Sequence, residues 1–339
     1  MQQKFMQKCI ELAKLAEGET SPNPLVGCVV TDEFDNIIST GYHKKAGDFH
    51  AERDALMKIN RGQGETLYVN LEPCSHFGKT PPCTDIIIDK GIKNVVIGMK
   101  DPNLKTSGIK ILEDAGINVT VGVLEDECKR LNEVFLTNVV EKRTFVAMKT
   151  ATTLDGKIAT STGSSKWITG EVARAEVKNI RHRYDAIMTS SSTIIADNPN
   201  MIHKNKVILD RTLRTNLNSN IYQNGEIYIF NEIKDEDKGR LHFIKTPTLN
   251  EKISLEFTLA KLYQLGIMSV LIEAGGKLNG RALKYTDKIY QFIAPKITGD
   301  NNSKSCFDYR EIKEISECEE FKFAGAKMFD KDILLTYYR

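Results

Sequence analysis

Short apolar segments alternate with amphipathic ones through the first 142 residues, and this alternation restricts the fold more than any other feature. Over about residues 2–16, Phe5, Cys9, Leu12 and Ala16 fall on one face at helical spacing. Strand patterns follow at "LVGCVVT" and "NIISTGY", and a helix starts near His50. Next come strand "TLYVNLE", helix "TDIIIDKG", strand "NVVIGM", helix "GIKILEDAG" and strand "NVTVGV". One helix over "EDECKRLNEVFLTNVVEK" closes the set. Short strands separated by helices predict an α/β layer on a mostly parallel sheet.

The charged stretch "EKRT" at 141–144 reads as a boundary, after which the cycle restarts at "FVAMKTATTL". Strand patterns recur at "DAIMTS", "KVILD", "EIYIF", "HFIK", "SVLIE", "IYQFIAP" and "ILLTYYR", with helices at about 170–183 and 257–265. Two α/β domains are expected, 1–143 and 144–339, which suits a chain of 339 residues. The two halves do not resemble each other.

Composition removes several classes of function. A net charge of +2 argues against a nucleic-acid footprint. No apolar run is long enough to cross a bilayer, and Lys4, Lys8, Glu11 and Lys14 break up any signal-peptide centre. A cytoplasmic enzyme with no membrane partner is the expectation. Seven cysteines in so long a chain do not make a disulfide scaffold.

Two cysteines stand apart, because Cys74 and Cys83 each follow a proline in the loop-like run "NLEPCSHFGKTPPC". Upstream, "DFHAERDAL" puts His50 two residues before Glu52. One imidazole and two thiolates leave a zinc ion one open position, the catalytic arrangement; a closed structural site would need a fourth ligand, and His76 is the nearest candidate. Zinc lowers the pKa of water from about 15.7 to about 7. A carboxylate at a helix start, Glu52, can take a proton there and pass it to a ring nitrogen and a leaving amine. That chemistry is hydrolytic deamination of an amino-substituted ring. The pattern H-x-E with two later cysteines is that of zinc deaminases, although eight residues separate the cysteines here instead of two. Pro82 can open the helix that carries Cys83. Asn23, at a strand edge in "SPNPLVGCVV", offers an amide to a pyrimidine edge.

In the second half no G-x-G-x-x-G follows a strand. The nearest glycine motif is "SVLIEAGGKLNGRAL", where a strand ends at Glu273 and Gly275-Gly276 turn into a helix whose free N–H groups suit a diphosphate. Asp155-Gly156 reads as a turn.

These motifs carry a resemblance that covers nearly the whole chain. "NPLVGCVV", "GYHKKAGDFHAE", "NLEPCSHFGKTPPC" and "DPN", followed by "ATTLDGKIAT", "SSKWITG", "RYDAIMTSSSTIIADNP" and "IEAGGKLNG", resemble the bifunctional riboflavin-biosynthesis deaminase/reductase family. The resemblance implies a cytidine-deaminase-like three-layer domain followed by a dihydrofolate-reductase-like domain. It implies zinc-dependent loss of the 2-amino group from 2,5-diamino-6-ribosylamino-4(3H)-pyrimidinone 5′-phosphate. NADPH then reduces the ribosyl part to ribityl. The ligands and substrates are thus zinc, NADPH and small phosphorylated pyrimidines, and a homo-oligomer, dimer or tetramer, is expected.

By motif, the resemblance makes His50, Cys74 and Cys83 the zinc ligands and Glu52 the proton carrier. His43, His76 and Lys79 match substrate contacts, with Lys79 near the phosphate. Ala151, Trp167, Thr193, Asp197 and the turn Gly275, Gly276, Lys277, Leu278, Asn279, Gly280 and Arg281 match cofactor contacts. Ser165, Arg181, Met201, Lys204 and Glu273 match substrate contacts, and Lys149 and Asp197 are candidate proton donors. Departures exist: Lys204 stands where many relatives have arginine, "ADNPN" replaces a double aspartate before proline, and the loop after Asn103 is shortened. The competing readings are a deaminase of another base fused to a reductase-like domain that only binds, and a zinc-stabilised module without activity.

Overall fold

Phe5, Met6, Cys9, Ile10 and Ala13 form the buried face of α1 (Gln2–Lys14) in the computed structural model of this chain. Removing side chains of this size from water contributes roughly 1.5–3 kcal/mol for each large one. Residues 1–77, 81–103 and 107–339 are described, and contacts divide the chain into Met1–Lys142 and Arg143–Arg339.

In the first unit, β1 (Gly27–Thr31), β2 (Ile37–Tyr42), α2 (Ala51–Leu56), β3 (Thr66–Leu71), α3 (Cys83–Asp89), β4 (Asn94–Met99), α4 (Gly108–Asp114), β5 (Asn118–Val121) and α5 (Glu125–Leu131) follow in order. The five strands align as β2-β1-β3-β4-β5. Helices α1 and α5 meet on one side, while α2, α3 and α4 form a chain of contacts on the other, so the unit has three layers. The sheet is mixed, not mostly parallel: β1 runs antiparallel to both neighbours, and only β3–β4 and β4–β5 are parallel. The reason is local. The Asp32 carboxylate accepts N–H bonds from Phe34 and Asn36, closing a turn too short for a crossover helix.

The expected final helix is broken at Asn132, which is buried and leaves helical geometry at φ −105°. Its side chain is engaged elsewhere. Oδ1 accepts the Leu25 N–H at 2.8 Å, and Nδ2 donates to the Leu25 carbonyl at 3.0 Å.

The second unit contains β6 (Phe145–Thr152), α6 (Glu171–His182), β7 (Ala186–Ser190), α7 (Ser191–Asp197), β8 (Asn205–Leu209), β9 (Glu226–Asn231), β10 (Glu236–Lys238), β11 (Leu241–Lys245), α8 (Leu255–Gln264), β12 (Ser269–Ile272), α9 (Gly276–Ala282), β13 (Lys288–Ile293), β14 (Lys322–Phe329) and β15 (Asp332–Tyr338). Ten strands align as β10-β11-β9-β8-β7-β12-β6-β13-β15-β14. From β11 to β13 every pairing is parallel, and the antiparallel pairs lie at the two edges. Parallel strands buried on both faces need continuous apolar runs, which "AIM", "VIL" and "VLI" supply. The Asp155-Gly156 turn also latches: the Asp155 carboxylate accepts the N–H groups of Thr298 and Gly299. Among the described residues no helix is long and apolar enough to cross a membrane.

Candidate active sites

Three elements of the first unit deliver the metal-ligating side chains. His50 is the N-cap of α2, Cys74 lies in the loop after β3, and Cys83 is the first residue of α3, opened by Pro82. Their ligand atoms lie within 4.8 Å of one another. Both sulfurs approach the same nitrogen, His50 Nδ1, at 3.4 Å from Cys74 Sγ and 3.5 Å from Cys83 Sγ. Zinc bonds of about 2.3 Å to sulfur and about 2.05 Å to nitrogen, set at a tetrahedral angle, separate S from N by about 3.6 Å. The residues therefore fit zinc, and they single out Nδ1 as the nitrogen donor. Among the described residues no fourth His, Cys, Asp or Glu joins the group. His76 is exposed and outside it, which removes the candidate for a closed structural site.

The backbone allows this convergence because Gly41 carries no side chain. A Cβ there would lie 2.3 Å from the Ala51 carbonyl oxygen, so only glycine lets the first turn of α2 rest against β2. Glu52, on that first turn, is 3% exposed. Burial, and after it the charge of Cys74, pushes the Glu52 carboxyl up to about 7. The Cys83 thiol, above other causes, pulls Cys74 down to about 4, while Cys74 and burial push Cys83 up.

His43 and Asn23 form a second group beside the first. The His43 ring sits 5.6 Å from the His50 ring, edge on. His43 Nδ1 faces the Phe49 carbonyl at 3.0 Å, and a carbonyl only accepts, so the ring proton is on Nδ1. Nε2 then accepts from Asn23 Nδ2 at 3.0 Å, which turns the Asn23 carbonyl oxygen away from His43. Burial pulls the pKa of this imidazole below the ordinary histidine value. Lys79 lies outside the described residues.

Three positioning residues were not singled out in the sequence. Asn70 donates to the Leu25 carbonyl and accepts from the Gly27 N–H, while Asn132 grips Leu25 from its other side. Together they hold the segment that presents Asn23. Glu72 accepts the N–H groups of Asp101 and Ile109, bracing the start of the Cys74 loop. The signal available was a polar residue inside an apolar strand, "YVNLEP".

In the second unit the turn after β12 forms as expected, with Gly275 as the N-cap of α9. A Cβ at Gly275 would meet nothing within 4 Å, whereas one at Gly276 would lie 2.3 Å from the Ser305 carbonyl oxygen. Open space thus lies in front of a helix start packed tightly behind. Asn279 Oδ1 is buried there with no partner. The open helix start fits the diphosphate of a dinucleotide. Not every side chain of the turn faces that space: Leu278 packs into the core, Gly280 lies against Tyr309, and Arg281 donates to the Ile253 carbonyl at 2.6 Å.

Ala151 is at the carboxyl end of β6. Trp167 is 62% exposed, with the Arg174 guanidinium 4.3 Å from its ring centroid, so packing does not account for the indole. Thr193 and Asp197 lie on α7, and Ser165 is half-buried. Arg181 is not a free cation: Nε and Nη2 donate to the two Glu273 oxygens at 2.5 and 3.0 Å, with Lys149 Nζ 3.5 Å from the same carboxylate. Burial opposes the charge of Glu273, but Lys149 and Arg181 overcome it and hold its carboxyl below the usual range. Lys204 is exposed, 3.7 Å from Asp185, and the Met201 side chain is buried in an apolar cluster with Ile187 and Ile194.

Comparison with known proteins follows the same two units. The family model described as the cytidine and deoxycytidylate deaminase zinc-binding region matches residues 1–99, and that of the RibD C-terminal domain matches residues 144–335. Riboflavin biosynthesis protein RibD of Aquifex aeolicus is 40% identical over 332 aligned residues, covering 91% of each chain. The Actinobacillus pleuropneumoniae protein of the same name is 38% identical over 354, covering 98% of this chain and 94% of its own. Among solved structures, the Thermotoga maritima diaminohydroxyphosphoribosylaminopyrimidine deaminase/5-amino-6-(5-phosphoribosylamino)uracil reductase superposes with a TM-score of 0.91 at 37% identity, covering 99% of this chain and 98% of that one. The first domain is therefore cytidine-deaminase-like, and the second is the reductase domain of the same relatives. A metal trio on the first unit, a glycine turn opening a helix on the second and these full-length matches lead to one conclusion: the chain belongs to the RibD family of bifunctional riboflavin-biosynthesis deaminase/reductases.

Proposed function

We propose that residues 1–143 form a zinc-dependent pyrimidine deaminase domain and residues 144–339 an NADPH-dependent reductase domain that act in succession. The first removes the 2-amino group of 2,5-diamino-6-ribosylamino-4(3H)-pyrimidinone 5′-phosphate as ammonia. The second reduces the ribosyl group of 5-amino-6-(5-phosphoribosylamino)uracil to ribityl. The observation that carries this reading is the approach of both cysteine sulfurs to one imidazole nitrogen beside a buried carboxylate.

Zinc, when held by His50 Nδ1, Cys74 and Cys83, supplies a Lewis acid that makes water acidic enough to attack a ring carbon near neutral pH. Glu52 takes one proton from the attacking water and delivers it to the ring nitrogen, then takes the second from the new hydroxyl on the ring carbon and delivers it to the amine, which leaves as ammonia as the carbonyl forms. Asn23 presents its carbonyl oxygen to the substrate's N–H edge, because its amide nitrogen donates to His43. His76 and Lys79 contact the remainder of the substrate, Lys79 its phosphate.

NADPH, when bound, supplies the reducing equivalent for the second reaction. Gly275 to Arg281 cradle its diphosphate, with Ala151, Trp167, Thr193 and Asp197 as further contacts. Ser165, Arg181, Met201, Lys204 and Glu273 hold the substrate, Met201 through its backbone. Glu273 pre-orients the Arg181 guanidinium, and Lys149 stands beside it as the proton donor.

Cytoplasmic location is supported by seven free cysteines. Homo-oligomerisation is supported by β14, an edge strand that among the described residues pairs with β15 alone and exposes Phe323 and Met328. The test is incubation with the diaminopyrimidine phosphate. Ammonia should appear without NADPH, and NADPH should be consumed only after that release. Glu52→Gln should cut ammonia release by about 10²- to 10⁴-fold while zinc content stays at wild-type level. Deamination of cytidine, with the phosphorylated pyrimidine ignored, would refute the assignment.

A further inference from the structure

On the reading above, the second unit holds its substrate from separate segments, among them α6, which carries Arg181, and the loop that carries Met201 and Lys204. One side chain without a part in that reading joins the two. His203 is half-buried and turns back from the loop onto the end of α6. Its Nε2 lies 3.0 Å from the Tyr184 carbonyl oxygen and 3.2 Å from that of Arg181, 22 residues earlier. At a helix end, carbonyl groups run out of helical N–H partners and are open to a side-chain donor.

The surroundings of the ring fix its proton. Nδ1 lies 2.8 Å from the Asn205 carbonyl oxygen, but it also has the Asn205 N–H at 3.2 Å from which to accept. Nε2 meets acceptors only. A neutral imidazole carries one ring proton, and only on Nε2 does that proton leave both nitrogens with a partner. Asn205 adds a second tie, its Nδ2 donating to the Asp185 carbonyl at 2.9 Å, and Lys204 Nζ stands 3.7 Å from the Asp185 carboxylate. The loop backbone is meanwhile closed against the start of β9. The Glu226 N–H donates to the Lys204 carbonyl at 2.8 Å, and a Cβ at Gly225 would lie 2.3 Å from the His203 carbonyl oxygen. By its backbone the loop thus belongs to the sheet, and what the His203 side chain sets is the loop's distance from the end of α6.

We propose that His203 is a positioning residue for the reduction: through its Nε2–H it holds the loop bearing Met201 and Lys204 at a fixed spacing from Arg181, so that the pyrimidine substrate meets both segments already in place. Ordering that is complete before binding is not charged against the substrate, so the effect falls on KM and leaves kcat nearly untouched.

The proposal rests on the assignment of Arg181, Met201 and Lys204 to the substrate, and two kinds of variant separate it from that assignment. Reduction of the deaminated pyrimidine phosphate by NADPH would be followed at steady state with the full chain, His203→Asn and His203→Gln. The glutamine amide nitrogen lies as many bonds from the backbone as Nε2 and can donate to the same carbonyls. The asparagine amide nitrogen corresponds to Nδ1 and falls short of them. His203→Asn should raise KM for the pyrimidine by about 2- to 10-fold, the range of one lost neutral hydrogen bond, with kcat little changed. His203→Gln should bring KM back toward the wild-type value. KM for NADPH and the rate of ammonia release should not change in either variant, which also shows that both are folded. A pyrimidine KM unmoved in His203→Asn, a fall in kcat alone, an equal rise in both KM values, or a glutamine variant no better than the asparagine one would overturn the proposal. A Lys204→Ala protein with wild-type KM for the pyrimidine would instead overturn the assignment of this loop to the substrate.

Discussion

Replacing Gly41 with alanine tests how the first site is held together. The new Cβ would lie 2.3 Å from the Ala51 carbonyl oxygen and 2.5 Å from the Ala55 nitrogen, against about 3.4 Å for an ordinary contact. Both obstacles are backbone, so no side chain can swing clear. To remove the 1.1 Å difference between 2.3 and 3.4 Å, α2 must retreat from β2 by roughly that distance. His50, the N-cap of α2, moves with it, while Cys74 and Cys83 belong to other elements. The separations of 3.4 and 3.5 Å then grow by several tenths of an ångström, more than the roughly 0.2 Å a ligand bond tolerates. Overpacking costs about 1–3 kcal/mol, and the displaced ligand should lower zinc affinity by about 10- to 100-fold. Zinc content after dialysis, thermal unfolding and ammonia release would be measured together. NADPH oxidation with the already deaminated pyrimidine serves as the control and should not change. A Gly41→Ala protein with full zinc and wild-type ammonia release would refute the reasoning.

Three further predictions concern the metal and two titrating groups. Chelation should abolish ammonia release and lower the unfolding temperature of the first unit, yet leave reduction of the deaminated pyrimidine intact; loss of both activities would count against two independent sites. Lys206 is fully buried, donating to the Ile221 carbonyl, and burial followed by the nearby Arg240 pulls its ammonium down to about 8 from an ordinary 10.5. The folded state therefore sheds this proton first, so stability should rise between pH 8 and 10.5 in the wild type and stay flatter in Lys206→Met, as read by denaturant unfolding. His242 bridges Asp237 at 2.6 Å and Glu226 at 2.9 Å; burial disfavours its charge, but the two carboxylates outweigh it and raise its pKa above the ordinary 6.5. That stabilisation is full below pH 6.5 and is lost as pH rises through the raised value, so His242→Gln should destabilise the protein at pH 6 and have little effect at pH 9.

The fold and the site were legible to different depths. Strand and helix positions could be read because each depends on neighbouring residues: apolar spacing marked α1, and the glycine pair after "VLIE" marked the start of α9. The mixed direction of the first sheet could not be read from strand patterns, because period-two alternation carries no sign of direction. The break at Asn132 was invisible for a related reason. Its cause, Leu25, is 107 residues away in sequence.

What the sequence determined by itself is the donor set: one imidazole, two thiols and one carboxylate, in a spacing that suits a catalytic metal; only folding excluded His76 as a fourth ligand. It also determined that a glycine turn would follow an apolar strand in the second unit. Tertiary structure alone decided that Nδ1 of His50 faces the sulfurs, that the Asn23 amide nitrogen is engaged by His43, and that Arg181 lies against Glu273, 92 residues away. It also decided that the Arg214 guanidinium meets the hydroxyls of Ser191 and Ser192. The physical reason is that composition and spacing specify which groups a chain possesses. Proton location, ring orientation and ion pairing are set by distances of a few ångströms between segments that only folding brings together.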